Sequence, residues 1–192
     1  MYPMIVEALW FILPAYVANS IPVNVSKIKF LKKYGKPIDG GRKWLGVRIL
    51  GDGKTWRGLI TGIIAGILIG IIQVIIQPSV KSYLPYLPRM TIPLAVMLSI
   101  GALVGDMVAS FIKRRTGFKT GDPAPLLDQL DFVFGAFFFA WLWSCFIEGR
   151  WQGVFEDMIG YDRFFVIVII TPAIHLFGNF IAWIWKLKKQ PW

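Results

Sequence analysis

The sequence has very little cysteine and no repetitive segments. Its 192 residues include one cysteine, Cys145, which lies in an apolar run, so no internal disulfide can form and no redox compartment is indicated. We find no internal repeat and no low-complexity tract. The first apolar run also lacks the pattern of a cleavable signal peptide, because its basic residues follow it and no small-residue cleavage site is evident. We therefore expect a retained N-terminal helix.

Apolar side chains, in contrast, are abundant. They make up 56% of the residues, with nine Trp and fifteen Phe, which is too apolar for an ordinary soluble domain. Five stretches are long enough to cross a hydrocarbon core of about 30 Å. They cover approximately residues 4–22, 58–77, 91–112, 132–147 and 164–185, and the short fourth stretch could also include residues 126–130, where Asp128 interrupts the apolar run. The sequence thus predicts an all-α integral membrane protein, with residues 1–192 forming a single polytopic membrane domain of five transmembrane helices.

Lysine and arginine are distributed unevenly between the two ends of these spans. The net charge is +10, but the basic residues flank hydrophobic spans, which favours anionic lipid headgroups over nucleic acid as their partner. Nine lie between the first and second spans, with Arg57 directly at the start of the second, four lie between the third and fourth, and three follow the fifth. This asymmetry predicts an outside N-terminus, a cytoplasmic C-terminus, and two large cytoplasmic loops at about 23–57 and 113–131. The expected location is the cell membrane.

The end of the first loop resembles a phosphate-binding turn. Residues 51–58 read Gly-Asp-Gly-Lys-Thr-Trp-Arg-Gly and run directly into the second span. Glycines let backbone N–H groups converge, and the N-terminal end of a helix attracts an anion. We predict that Lys54, Thr55 and Arg57 bind phosphate, the alternative being a glycine turn with basic membrane anchors. A Walker A loop is excluded, because its upstream glycine would fall at Arg48 and no βαβ unit surrounds it.

The middle of the same loop is predicted to form a surface element that lies on the membrane. Residues 27–34 have the pattern of a short amphipathic helix lying on the membrane, with Ile28, Phe30 and Leu31 toward lipid. We interpret the neighbouring lysines as a solvated or interfacial face.

The second loop carries acidic residues at helical spacing. Asp106, Ser110 and Lys113 are separated by four and three residues, so they share one face of a helix. An aspartate just inside the membrane surface is costly unless it faces a cation or a polar cavity. After a Gly/Pro turn, Asp128 and Asp131 share one face of the next helix. If the third and fourth spans pack antiparallel, the three aspartates can meet across a narrow gap.

Such a set of side chains suits magnesium and phosphate. Carboxylate oxygens are ligands that Mg²⁺ prefers, and Lys113, Arg114 and Lys119 would face a polyphosphate beside it. The alternative is that the aspartates merely neutralise the neighbouring cations.

These residues resemble the CDP-diacylglycerol synthase (phosphatidate cytidylyltransferase) superfamily. That family's pattern is G-D-x-x-x-S-x-x-K-R, four residues, K-D, a loop with P-G-H-G-G, and D-R-x-D. The matching positions are Gly105, Asp106, Ser110, Lys113, Arg114, Lys119, Asp128 and Asp131. Thr120 replaces the aspartate after the lysine, Gln129 replaces the arginine, and the H-G-G is missing, with Asp122 a candidate for the lost acid. The short loop, five-span length and C-terminal region resemble the archaeal branch, CDP-archaeol synthase.

The resemblance implies an activity and a set of site residues. The activity is a Mg²⁺-dependent nucleotidyl transfer from CTP to a prenyl-ether lipid phosphate, 2,3-bis-O-geranylgeranylglycerol 1-phosphate, giving CDP-archaeol and pyrophosphate. The catalytic residues would be Asp106, Asp128, Asp131 and Lys113, with the three aspartates as metal ligands. The substrate-binding residues would be Lys54, Thr55, Arg57, Ser110, Arg114, Lys119, Asn24 and Lys27.

Other functions compete with this interpretation. The nearest alternative is a CDP-diacylglycerol synthase that acts on ester-linked lipids, since the expectation of ether-linked prenyl tails rests only on the resemblance to the archaeal branch. A small cation- or proton-coupled transporter could use Asp106, His175 and Asn179 as a relay, but the sequence shows no inverted repeat. His175 and Asn179 could equally satisfy a carbonyl freed by Pro172. A CDP-alcohol phosphotransferase would need D-G-x-x-A-R, and no Ala-Arg follows Asp52. A lipid-binding scaffold would not explain three aspartates.

Overall fold

The computed structural model describes residues 2–119 and 122–184, and the described chain is mainly helical. The helices are α1 (Tyr2–Val25), α2 (Trp56–Lys81), α3 (Ile92–Arg115), α4 (Leu127–Glu148), α5 (Val154–Met158) and α6 (Tyr161–Ile184). The first loop adds a 3₁₀ helix at Lys29–Tyr34 and a hairpin of β1 (Lys43–Trp44) and β2 (Val47–Arg48). The 3₁₀ helix lies within the predicted surface element, and Ile28 and Phe30 are exposed there.

Five of these helices are long and apolar enough to cross a membrane. The candidate spans are Pro3–Val25, Trp56–Lys81, Ile92–Arg115, Leu127–Glu148 and Tyr161–Gly178. The described structure therefore has five candidate spans, the number predicted from the sequence. The fourth helix begins at Leu127 and so includes the extension before residue 132, which places Asp128 and Asp131 within its first two turns.

Helix α2 packs through a line of glycines spaced four residues apart. Gly58, Gly62, Gly66 and Gly70 are all buried. A Cβ on Gly66 would lie 2.7 Å from the Pro14 carbonyl of α1 and 2.2 Å from the Ser99 hydroxyl of α3. Small residues permit this close approach of helix backbones in a membrane. The opposite face of α2 carries exposed isoleucine and leucine, which suits contact with lipid tails.

Helices α3 and α4 meet in the same way at Gly101, Gly105 and Gly135. A Cβ on Gly101 would lie 2.4 Å from the Gly135 carbonyl oxygen, and one on Gly105 would lie 2.3 Å from the Asp131 carbonyl oxygen. The two backbones are therefore in direct contact beside Asp106. This crossing supplies the antiparallel packing on which the predicted aspartate arrangement depended.

Polar side chains inside the bundle connect the helices. Pro14 has no N–H to offer the Trp10 carbonyl, and the Gln73 amide of α2 donates to that oxygen at 2.6 Å. The Tyr16 and Thr171 hydroxyls lie 2.6 Å apart and connect α1 with α6. At the end of the bundle where α1 begins, the Arg163 guanidinium donates to the buried Glu7 carboxylate at 2.9 Å. His175 lies in α6 beyond Pro172, and its role stays a prediction.

Candidate active site

The first loop is organised around the buried carboxylate of Asp39, whose side chain is 1% exposed. It accepts hydrogen bonds from the Arg48 Nε and Nη2 at 3.2 and 2.8 Å. The backbone N–H groups of Gly41, Leu50 and Gly51 also donate to it, at 3.0 to 3.1 Å. Burial alone would raise the pKa of Asp39, but the hydrogen bonds from Arg48 and the three backbone groups hold it well below its usual range. An ionised aspartate therefore fixes the path of the loop.

Arg115 attaches this loop to the end of α3. Its guanidinium donates to the carbonyls of Trp44, Val47 and Arg48 at 2.6, 3.0 and 2.7 Å. The Trp44 ring also stacks on Phe111, with centroids 5.7 Å apart. In the sequence, Arg115 contributed only to the count of basic residues. The structure shows that it clamps the hairpin.

The last part of the loop directs Lys54 toward α3. The Ile38 N–H donates to the Lys54 carbonyl at 2.8 Å, and the Trp56 N–H donates to the Lys36 carbonyl at 3.1 Å. With its backbone held in this way, Lys54 places its Nζ 2.5 Å from Asp106 Oδ2. Both side chains are about one quarter exposed, so they are accessible to a ligand. A residue of the first loop and a residue of α3 thus belong to one site.

Thr55 and Arg57 make structural contacts at the start of α2. The Thr55 hydroxyl accepts from the Gly58 N–H at 3.2 Å, which is the arrangement of a helix N-cap. The Arg57 Nη1 donates to the Leu31 carbonyl at 3.1 Å and so holds the 3₁₀ helix against α2. Their predicted phosphate contacts stay predictions.

The second ion pair joins α3 to the start of α4. Lys113 Nζ lies 2.5 Å from Asp128 Oδ1, and Asp128 Oδ2 accepts from the Ala124 N–H at 2.9 Å. The helix is entered through Leu126, whose φ of 65° and ψ of −47° form a γ-turn closed by the Leu127 N–H on the Pro125 carbonyl. This unusual backbone turn sets where Asp128 begins the helix.

Asp131 lies near members of both pairs. It is half-buried, its backbone contacts Gly105, and it lies within electrostatic range of Asp106, Asp128 and Lys54. The three predicted aspartates are therefore brought to the same end of α3 and α4. Among the described residues, however, no three His, Cys, Asp or Glu side chains form a group that could hold a metal ion. In this structure Asp106 and Asp128 instead face lysines.

The remaining predicted residues lie around this end of the bundle. Ser110 is buried in α3. Arg114 is also buried, and it donates to the Phe118 carbonyl at 2.8 Å, so it closes the C-terminal turn of α3. The Lys119 backbone N–H donates to the Asp122 carboxylate at 2.6 Å. Asn24 and Lys27 lie on the exposed surface where α1 ends, and Asn24 is within 3.5 Å of the Ser20 carbonyl. Thr120 lies outside the described residues.

The family model for CarS-like CDP-archaeol synthase matches residues 1–192. The chain belongs to this family. The sequence is 42% identical to a CDP-archaeol synthase of Thermococcus gammatolerans, over 96% of this chain and 95% of that protein. It is 40% identical to a CDP-archaeol synthase of Halobacterium salinarum, over 98% of this chain and 97% of that protein.

A solved structure is also similar to this fold. It is described as an intramembrane enzyme for archaeal membrane lipid biosynthesis, is 34% identical, and superposes with a TM-score of 0.63 over 91% of this chain and 94% of that one. The resemblance read from the sequence is confirmed, and so is the enzyme class. CDP-archaeol synthases are CTP-dependent cytidylyltransferases, a type of nucleotidyltransferase. The location as a multi-pass membrane protein is confirmed as well.

Proposed function

We propose that this chain transfers the cytidylyl group of CTP to 2,3-bis-O-geranylgeranylglycerol 1-phosphate, in a Mg²⁺-dependent reaction that gives CDP-archaeol and pyrophosphate. The observation that carries the proposal is the pair of ion pairs at one end of the bundle, Lys54–Asp106 and Lys113–Asp128. They bring together two cations and two carboxylates, all partly exposed, at the ends of the candidate spans α2, α3 and α4. That is where the phosphate of a membrane lipid would lie.

The chemistry needs positioning more than proton transfer. An oxygen of the lipid phosphate attacks the α-phosphorus of CTP, the bond from that phosphorus to the bridging oxygen breaks, and pyrophosphate leaves with the electron pair. The attacking oxygen is already anionic, so no general base is required. Lys54 approaches from the first loop and Lys113 from α3, and together they would hold and neutralise the phosphates in line.

The carboxylates provide the type of oxygen ligand that Mg²⁺ prefers. Mg²⁺ is usually bound through one or two carboxylates, with water and substrate phosphates completing its octahedron, so a three-carboxylate cluster is not a requirement. Asp106 and Asp128 are the first candidates, and Asp131 is a third ligand or orients the other two. When bound, the ion would neutralise negative charge on the triphosphate.

The other predicted residues would complete the substrate site. Arg114 and Lys119 extend the positive charge of the second loop, and Ser110 lies on the same helix as Asp106. Thr55 and Arg57 form the start of α2, whose N-terminal end favours an anion. Asn24 and Lys27, beside them at the end of α1, are the weakest candidates.

The proposed topology has the N-terminus outside and this site on the cytoplasmic side. It is supported by the gathering of basic residues in the two loops that build the site. A cysteine at Lys36 should react with an impermeant thiol reagent from the cytoplasmic side, and one at Trp151 only from outside. Cys145 is buried, which keeps the background low. Labelling of Lys36→Cys from outside would overturn this orientation.

The activity is tested with purified protein in detergent, Mg²⁺ and labelled CTP. The prenyl-ether lipid phosphate and an ester-linked phosphatidic acid are supplied in separate reactions, and ATP, GTP and UTP replace CTP in others. We expect labelled lipid and pyrophosphate in equal amounts with CTP and the ether lipid. Faster turnover of phosphatidic acid would make the chain a CDP-diacylglycerol synthase, and no turnover of either lipid would overturn the proposal.

A further inference from the structure

The hairpin of β1 and β2 presents an apolar tip to the surroundings. Trp44, Leu45 and Val47 are 53%, 84% and 43% exposed. Together with Gly46 they form four consecutive residues, and within the described part of the chain nothing covers Leu45. Exposed apolar side chains grouped in this way usually mark a contact surface.

The turn itself is an unusual place for leucine. Leu45 and Gly46 are the two residues between the paired strands, with φ of 51° and 79°. Hairpin loops with positive φ at both positions favour Asn, Asp or Gly, because larger side chains are strained there. At this position a leucine strains the backbone and exposes an apolar side chain to water. Removal of that side chain from water would lower the free energy and offset both costs.

The tip continues the lipid-facing surface of α3. Trp44 stacks on Phe111, which lies one turn before α3 ends at Arg115, and Val108 and Ile112 are exposed on the same part of the helix. Because Arg115 holds three hairpin carbonyls, the tip has a fixed position relative to this span.

The charges beside the tip complement a membrane surface. Arg42 and Lys43 are exposed where the first strand begins. Tryptophan is enriched at headgroup depth, and basic residues next to the membrane are attracted to anionic headgroups. We propose that the hairpin inserts Trp44, Leu45 and Val47 into the interfacial layer of the bilayer, with Arg42 and Lys43 on anionic headgroups. The hairpin is then a membrane contact additional to the five spans.

Spin labels on two residues of the same loop test the depth of the tip. Leu45→Cys is prepared in a Cys145→Ala background, so that each protein has one cysteine to label. Asp52→Cys in the same background is the control, because the polar Asp52 side chain is 77% exposed. The labelled proteins are placed in vesicles of phosphatidylglycerol or phosphatidylcholine. Collisions with oxygen, which concentrates in hydrocarbon, are compared with collisions with a water-soluble nickel chelate. Val47→Cys repeats the measurement if the first variant assembles poorly.

We expect the label at residue 45 to collide mainly with oxygen and the label at residue 52 mainly with the nickel chelate. The preference at residue 45 should be stronger in phosphatidylglycerol, and Arg42→Gln with Lys43→Gln should reduce that difference. Equal access of the nickel chelate to both labels would overturn the proposal. So would protection of residue 45 from both reagents with spin–spin broadening, which would indicate a second copy of the chain on the tip.

Discussion

Lys54 Nζ and Asp106 Oδ2 lie 2.5 Å apart, although 52 positions separate these residues in the sequence. Lys113 and Asp128 form an equally short pair. Each first-choice metal ligand therefore faces a lysine proposed to hold phosphate. An ammonium group has three N–H donors, so either lysine can contact a phosphate while it keeps its carboxylate. The proposed site would therefore be assembled before a nucleotide binds.

Removal of a single carboxylate charge should stop the reaction. In Asp106→Asn or Asp128→Asn the side chain keeps its size but loses its charge and one oxygen donor. We expect at least about a hundredfold loss of turnover, on the scale of one preorganised electrostatic group. Initial rates over a Mg²⁺ titration measure both the turnover and the apparent metal affinity. Asp131→Asn should be milder if Asp131 only orients the other two.

The matched control for these variants is Asp52→Asn, which changes an exposed aspartate of the same surface. Its ion pair with Arg48 is exposed, and such pairs contribute little. The double variant of Asp106 and Asp128 should cost far less than the two single losses combined, because ligands of one site act as a unit. Near-normal turnover in either single variant would remove the case for a metal site here.

Lys54→Ala should weaken nucleotide binding selectively. The loss of one charge-assisted contact costs about 1.5–3 kcal/mol. This corresponds to a rise of roughly tenfold to a hundredfold in the KM for CTP, with a smaller change in the KM for lipid phosphate. Lys36→Ala, on the same loop, is the control and should leave both constants unchanged. An unchanged KM for CTP in both Lys54→Ala and Arg57→Ala would mean that residues 51–58 form only a glycine turn.

The sequence predicted the membrane architecture because local signals determine it. A run of about 20 apolar residues has few structural options other than a spanning helix. The same reasoning placed Asp106 and Lys113 on one helix face and Asp128 and Asp131 on the next. It left the start of the fourth span open, because Asp128 interrupts the apolar residues at 126–130, and the structure begins α4 at Leu127.

The contacts that complete the site carry no local signal. Lys54 meets Asp106, and Arg115 meets the hairpin at Trp44, across 52 and 71 positions of sequence. Only tertiary packing brings such residues together. Asp39 gave one weak indication, since Asp-Gly-Gly at residues 39–41 marks a turn. Nothing in that pattern showed that its carboxylate would be buried with five donors.

Asp39→Asn should loosen the first loop without disturbing the spans. The asparagine amide has one acceptor oxygen instead of two and carries no charge. The hydrogen bonds that Arg48 and the N–H groups of Leu50 and Gly51 donate to this side chain should therefore be weakened or lost. Hydrogen bonds to a charged group contribute about 1.5–3 kcal/mol, so amide exchange at Leu50 and Gly51 should accelerate about tenfold to a hundredfold. Hydrogen–deuterium exchange measures this directly, and Asp52→Asn is the control.

The pH dependence of this loop follows from the lowered pKa of Asp39. Its stabilising effect is fully present above the unfolded value of about 3.9 and is lost only as pH falls toward the lower folded value. Protection of Leu50 and Gly51, corrected for intrinsic exchange rates, should therefore stay constant between pH 8 and pH 5. A fall in that range would show that another group controls the loop.

Gly105→Ala should disturb the site through the backbone beside it. Its Cβ would lie 2.3 Å from the Asp131 carbonyl oxygen, so α3 and α4 must separate next to Asp106. Overpacking of this kind costs about 1–3 kcal/mol, and we expect a lower Tm in detergent together with reduced turnover. Gly178→Ala is the matched control, since it is also a helical glycine but its Cβ would meet no described residue within 4 Å. Alanine favours a helix over glycine, so the control should keep or raise the Tm. Equal Tm and turnover in the two variants would show that close contact between α3 and α4 is not what positions the aspartates.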